Sequence, residues 1–248
     1  MNRAKKHYYN LIDKWVEDEK KISCGKESQQ HYMSEHKYHF NYLFNLCLSI
    51  NLNKSAKIID IGRSQLSVLF SNYYNKVVTL GFDLEEDIGG HREIESSNIE
   101  HIVFDLNECK KVNLWPQEKF DIIVYSEVIE HLFEAPEYSL LFLKHLLNPG
   151  GFIICSTPNA ASLYKRFKLL FGENPYEKIR FYNKNPGHFR EYTKKELIEM
   201  VNKCELKLVK HEYKNFIEET ISFKIKIFKL ITAFIPSFKL SQIIVIKK

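Results

Sequence analysis

Five features are missing from this chain, and each absence closes off a class of protein. No apolar run approaches the ~18 residues that a membrane-crossing helix needs. The N-terminus, MNRAKKHYYNLIDKWVEDEKK, is too polar for a signal peptide. Cys24, Cys47, Cys109, Cys155 and Cys204 form no CxxC and no paired framework, so they read as reduced thiols of a cytoplasmic protein. No GxGxxG follows the first strand pattern; IGRSQLSV stands in its place, which argues against a nicotinamide-binding domain. No RNA-binding module is recognisable either, and nucleic acid is not an expected partner. What is present is 248 residues, 44% hydrophobic and 14% aromatic, enough for one α/β domain with additions. The net charge of +5 allows an anionic substrate or membrane surface and does not by itself point to nucleic acid.

Residues 1–55 read as an N-terminal helical extension, and 56–248 as the main domain. Between His36 and Leu52 the apolar positions Phe40, Leu43, Phe44, Cys47 and Leu48 have helical spacing. Short apolar strands follow at Lys57–Gly62, Val77–Asp83, Ile99–Phe104, Phe120–Tyr125 and Phe152–Ser156, the last after Asn148-Pro149-Gly150-Gly151. Helical patterns lie between several of them, at 65–74 and Tyr138–Leu147. Such alternation predicts a mostly parallel sheet covered by helices on both faces, with ligands outside the carboxyl ends of the strands. Carboxylates recur at those ends: Asp60 beside Gly62, Asp83, Asp105, and Ser126-Glu127. Singly, each reads as a loop acid or a helix cap; together they suggest a site.

The densest chemistry is in Phe120–Leu132, FDIIVYSEVIEHL. A helix starting near Ser126 would set Glu127, Glu130 and His131 at i, i+3 and i+4 on one face. Two carboxylates and an imidazole there suit a hard metal ion or acid–base work. Acids in a helix's first turn also complement its dipole without any catalytic role.

In this order the motifs resemble those of class I S-adenosylmethionine-dependent methyltransferases, over roughly residues 55–212. The resemblance implies a Rossmann-like α/β fold with a seven-stranded, mostly parallel sheet and an antiparallel last strand, here near Ile243–Ile246. It implies that Asp60, Gly62 and Ser64 form the turn at the amino-acid part of the cofactor, where glycine lets backbone come close. By the same likeness Asp83 accepts from the ribose hydroxyls, Asp105 and Leu106 read the adenine, and Ser126 and Glu127 lie near the methionine end. The first loop departs from the family's glycine-rich pattern, keeping only Gly62, which leaves a non-catalytic homologue as one alternative.

The EVIEHL stretch is similar to the ExxEH element of ubiquinone-pathway O-methyltransferases, which act on catechols, and of small-RNA terminal 2′-O-methyltransferases. In both, the resemblance implies a divalent ion held by the two glutamates and the histidine. The RNA group adds a later histidine, for which His188 in GHFREYT is the candidate. The expected metal set is Glu127, Glu130, His131 and His188, with Mg²⁺, Mn²⁺ or Zn²⁺. Glu127, His131 and His188 are the expected catalytic groups. Without an ion, His131 or His188 is the general base.

Residues 159–190, basic and aromatic with Gly172 as a helix stop, read as a lid-like insertion. Thr193 and Glu196 read as a capping box. The segment 217–238 reads as a packed helix, a homodimer contact or a peripheral membrane contact. The expected acceptor is a small hydroxylated molecule. A sugar of a surface polysaccharide or a glycolipid leads, on a likeness of the GHFREYT region and tail to methyltransferases encoded with polysaccharide-building enzymes.

Overall fold

The computed structural model describes residues 29–83, 99–181, 185–216 and 223–248. A helix α1 (Gln29–Ile50) leads into β1 (Lys57–Ile61), α2 (Gln65–Ser71), β2 (Lys76–Gly81) and β3 (Glu100–Val103). Then come β4 (Phe120–Ser126), α3 (Pro136–Leu146), β5 (Leu147–Pro158), α4 (Leu163–Leu170), α5 (Lys194–Lys203), β6 (Lys207–Lys214), α6 (Phe223–Phe234) and β7 (Ser241–Lys247). The seven strands form one sheet in the order β3-β2-β1-β4-β5-β7-β6. β1 to β5 pair in parallel, and β7 inserts antiparallel to both β5 and β6.

Successive residues of a strand face opposite sides of the sheet, and β4 shows how that divides the core. Ile123 and Tyr125 join Phe142, Leu146, Leu197 and Val201 of α3 and α5 on one face. Ile122 and Val124 join Leu43, Cys47, Leu66 and Phe70 of α1 and α2 on the other. The central strands are therefore apolar along their whole length rather than alternating. The stretch expected as an N-terminal extension thus supplies, in α1, one wall of the core; residues 1–28 lie outside the described residues. Phe142 also stacks on Phe104, with ring centroids 4.6 Å apart.

Strand order reverses between β1 and β4: β2 and β3 continue one way from there, β5 the other. A crevice opens at such a reversal, at the carboxyl ends of the strands. Register sets Asp60 beside Val124, so the turn after β1 faces the turn after β4. Thr193 caps α5 in the expected capping box with Glu196. Gly172, with φ +75°, follows the end of α4 as the expected stop.

Candidate active site

Gly62 follows β1 with φ +80°, and a Cβ there would lie 3.7 Å from Val128 Cγ2. Its N–H donates to Leu80 O at 2.7 Å, so β1 and β2 close together. Gly81 matches it from β2: a Cβ on Gly81 would sit 3.8 Å from Gly62 Cα. The two glycines bring the backbones after β1 and β2 close together. Asp83 follows β2 and is exposed.

Asp60 lies inside β1 and is buried. Its Oδ2 accepts from Ser67 Oγ at 2.6 Å. Burial raises its pKa to about 7, while the Ser67 and Ser64 hydroxyls pull it down. Ser64 is the N-cap of α2, accepting from Leu66 N. Ser64, at one of the later glycine positions of the family's loop, and Ser67 one turn on therefore brace the loop from below, through Asp60. Asp105 caps the short 3-10 turn Leu106–Glu108 by accepting from Asn107 N at 2.9 Å, with Leu106 buried beside it.

The turn after β4 corrects one expectation. No helix starts at Ser126. Glu127 takes a left-handed conformation, φ +53°, and a 3-10 turn covers Ile129–His131. The helix begins only at Pro136. Glu127 is thereby turned away from the expected face. Glu130, His131 and His188 come together, each offering a ligand atom within 4.8 Å of the others, and Glu127 is not in that set.

Glu127 instead faces Glu130 from the buried side. Glu127 Oε1 and Glu130 Oε1 are both closed to solvent and meet no donor among the described residues. Burial, and then Glu127, push the Glu130 carboxyl well above its ordinary range. Burial raises Glu127 too, against the pull of Ser156, Glu130 and Lys165. Two acceptor-only groups so placed disfavour each other's charged form, which raises the affinity of the pair for a proton. Thr157 Oγ1 donates to Glu130 Oε2 at 2.9 Å. Beneath Glu127, Ser156 Oγ links Ser126 Oγ at 2.9 Å with His39 Nε2 of α1 at 3.1 Å.

His131 Nδ1 donates to Gly187 O at 3.0 Å, which leaves Nε2 as the ring's acceptor. Burial lowers its pKa. The His188 ring stands edge-on to it at 4.7 Å, with Nδ1 3.4 Å from Glu191 Oε1. Burial, His131, Lys165 and Arg180 hold His188 near 4. The Glu130 carbonyl accepts from Phe189 N at 2.8 Å and from Arg190 N at 3.2 Å, docking the His188 segment onto the EVIEHL turn.

Lys165 and Glu191 were not among the expected site residues. The Lys165 ammonium, buried on α4, pairs with Glu191 and donates to Asn159 O at 3.2 Å. Its pKa falls to about 8 through burial, offset by Glu130 and Glu127. A lysine in so basic a helix reads as surface; only the fold shows that this one turns inward.

The fold, with its strand order reversing between β1 and β4, is of the Rossmann-like α/β class. Residues 33–211 match the family model described as a methyltransferase domain. The chain belongs to this family, the class I S-adenosylmethionine-dependent methyltransferases. No curated protein matches it. Among solved structures it is similar to an S-adenosylmethionine-dependent methyltransferase of Clostridium acetobutylicum, at 12% identity and TM-score 0.57, covering 96% of this chain and 98% of that one. It is also similar to the N-methyltransferase NodS of Bradyrhizobium japonicum in complex with S-adenosylhomocysteine, at 12% identity and TM-score 0.55, covering 97% of each. A third is the Burkholderia thailandensis 1,6-didemethyltoxoflavin-N1-methyltransferase, at 14% identity and TM-score 0.56, covering 98% and 89%. No helix among the described residues is long and apolar enough to cross a membrane.

Proposed function

We propose that the protein transfers the methyl group of S-adenosylmethionine to a hydroxyl oxygen of a small acceptor, with a sugar of a surface polysaccharide or a glycolipid leading. The meeting of Glu130, His131 and His188 beside the β1–β4 crevice carries this reading. The product complex of NodS supports the cofactor. In this reading Gly62 admits the methionine part, Asp83 takes the ribose hydroxyls, and Asp105 with Leu106 flanks the adenine.

His131 is the base. Its Nδ1–H is committed to Gly187 O, so Nε2 is the atom that takes the acceptor's proton. The acceptor oxygen bonds the methyl carbon as the carbon–sulfur bond breaks, and the electron pair stays on sulfur, turning sulfonium into thioether. The lowered pKa of His131 keeps it neutral, and able to accept, at physiological pH. His188, also neutral, positions a second hydroxyl of the acceptor.

The same three residues fit a divalent ion. Both histidines have Nδ1 engaged by an acceptor, leaving Nε2 for a metal, and Glu130 Oε1 has no donor. Glu130, His131 and His188 would hold Mg²⁺, Mn²⁺ or Zn²⁺, which when bound acidifies adjacent acceptor hydroxyls. A bound cation would also offset the repulsion between Glu130 and Glu127.

The test has two arms. Calorimetry should show binding of S-adenosylmethionine and S-adenosylhomocysteine; no heat at millimolar cofactor with folded protein would overturn the enzyme reading. With a panel of hydroxylated acceptors, His131→Ala should lower kcat by roughly 10²–10⁴-fold while S-adenosylhomocysteine affinity stays unchanged. Loss of activity on chelation, restored by one cation, assigns the metal role; unchanged turnover assigns the base alone.

A further inference from the structure

We propose that α4, α6 and the turn between them form a face that docks on an anionic phospholipid bilayer. α6 is twelve residues long, FKIKIFKLITAF, and buries only Thr232. Phe223 is 75% exposed and Phe234 82%. At the end of α4, Leu170 and Phe171 are each about three-quarters exposed. Apolar side chains in such number, standing in water, favour the headgroup–acyl boundary of a bilayer.

The two helices belong to one face. The 3-10 turn Pro236–Phe238 packs against both of them. Arg166 of α4 lies 5.2 Å over the Phe238 ring. Asn159, at the end of β5, donates to Ser237 O at 2.9 Å and to Lys239 O at 2.8 Å, fastening the turn to the sheet.

Charge selects the occupant. Neither LYKRFKLL nor FKIKIFKLITAF contains an acid, whereas α6 carries Lys224, Lys226 and Lys229, and α4 exposes Arg166. A second copy packed on this face by twofold symmetry would set lysines against lysines. An anionic lipid surface instead meets every one of them with opposite charge, while the aromatic and leucine side chains enter the acyl boundary. Docking on this face does not depend on which acceptor is methylated. It does bring lipid within one helix of the site, since α4 also carries Lys165 inward to Glu191.

The full chain would be sedimented with vesicles of phosphatidylcholine alone and of phosphatidylcholine with an equal part of phosphatidylglycerol. The wild type should pellet with the anionic vesicles, and high salt should release it. Leu170→Glu/Phe234→Glu and, separately, Lys224→Glu/Lys229→Glu should each lower the partition coefficient by roughly tenfold or more. S-adenosylhomocysteine binding by calorimetry should be equal in all three proteins, which shows that they are folded and reads the cofactor site independently. The proposal is overturned if the wild type stays in the supernatant, pellets equally with neutral vesicles, or pellets no better than the variants. It is overturned equally if light scattering shows a dimer that both variants dissolve while vesicle binding is absent, because a second copy then covers this face.

Discussion

Lys165 is the clearest case of one residue depending on its partner. Its side chain is 11% exposed and that of Glu191 6%, so either group alone would be a charge left in a poorly solvated place. Lys165→Met should cost about 3 kcal/mol in urea unfolding, because the buried Glu191 carboxylate keeps only its long contact with His188 and loses its counter-charge. Lys165→Met/Glu191→Gln should recover most of that loss; a double variant no more stable than the single one would count against the pairing. Glu130, His131 and His188 could be named from the sequence because two motifs carry them, EVIEHL and GHFREYT. Lys165 could not, since it shares its helix with exposed Arg166 and Phe167 and its partner lies beyond the whole insertion.

Among elements, the strands were legible and the turn after β4 was not. Lys57–Gly62 and Phe120–Tyr125 were expected almost where β1 and β4 lie, because a strand buried on both faces is an unbroken apolar run. The helix expected from Ser126 failed for a backbone reason: Glu127 at φ +53° breaks helical geometry before a first turn can form. Its acids mimicked a first-turn pattern, while the actual start signal was Pro136. β5 runs from Leu147, longer than the expected Phe152–Ser156, since the Asn148–Gly151 turn belongs to it. Asn148 Nδ2 holds that turn to Asp121 Oδ1 at 2.8 Å. A Cβ on Gly151 would come within 3.0 Å of the carbonyl oxygens of Asn148 and Asp121, both main chain. Gly151→Ala should therefore lower stability by about 1–3 kcal/mol, measured by denaturant midpoint, whereas Gly150→Ala meets no atoms and loses only its φ +78° freedom.

Over the whole molecule, buried titratable groups act on stability in opposite directions. His39 and His188 are both held near 4 by burial. Each contributes stability that is present above its ordinary value of 6.5 and is lost as pH falls toward 4. Asp60, raised from 3.8 to about 7, does the reverse: its contribution is full below 3.8 and is lost as pH rises through 7. Glu130, raised for the same cause, works in the same direction as Asp60. In the acid range the two sets oppose each other, so thermal stability should change little with pH. Asp60→Asn keeps an acceptor for Ser67 and removes one of the opposing groups. Its melting temperature should climb with pH between about 4 and 6.5 more steeply than the wild type's; parallel curves would refute the buried-acid account of Asp60. None of this balance was visible in the sequence, which does not show how deeply Asp60 is buried. The seven-stranded, mostly parallel sheet with its antiparallel last strand followed from the family resemblance; α1 as a wall of the core followed from neither the residues nor the resemblance.

Glu127 also bears on how this protein divides its needs between folding and function. Its left-handed backbone is one that glycine adopts freely and a glutamate does not, and its carboxyl is buried opposite another acid. On both counts the folded chain would be better off with glycine there. Glu127→Gly should raise the melting temperature, by the equivalent of about 1 kcal/mol or more, while methyl transfer falls. If the variant proved less stable, the glutamate would be an ordinary part of the scaffold. If it proved more stable and less active, the position would mark a residue retained for its chemistry against the interest of the fold.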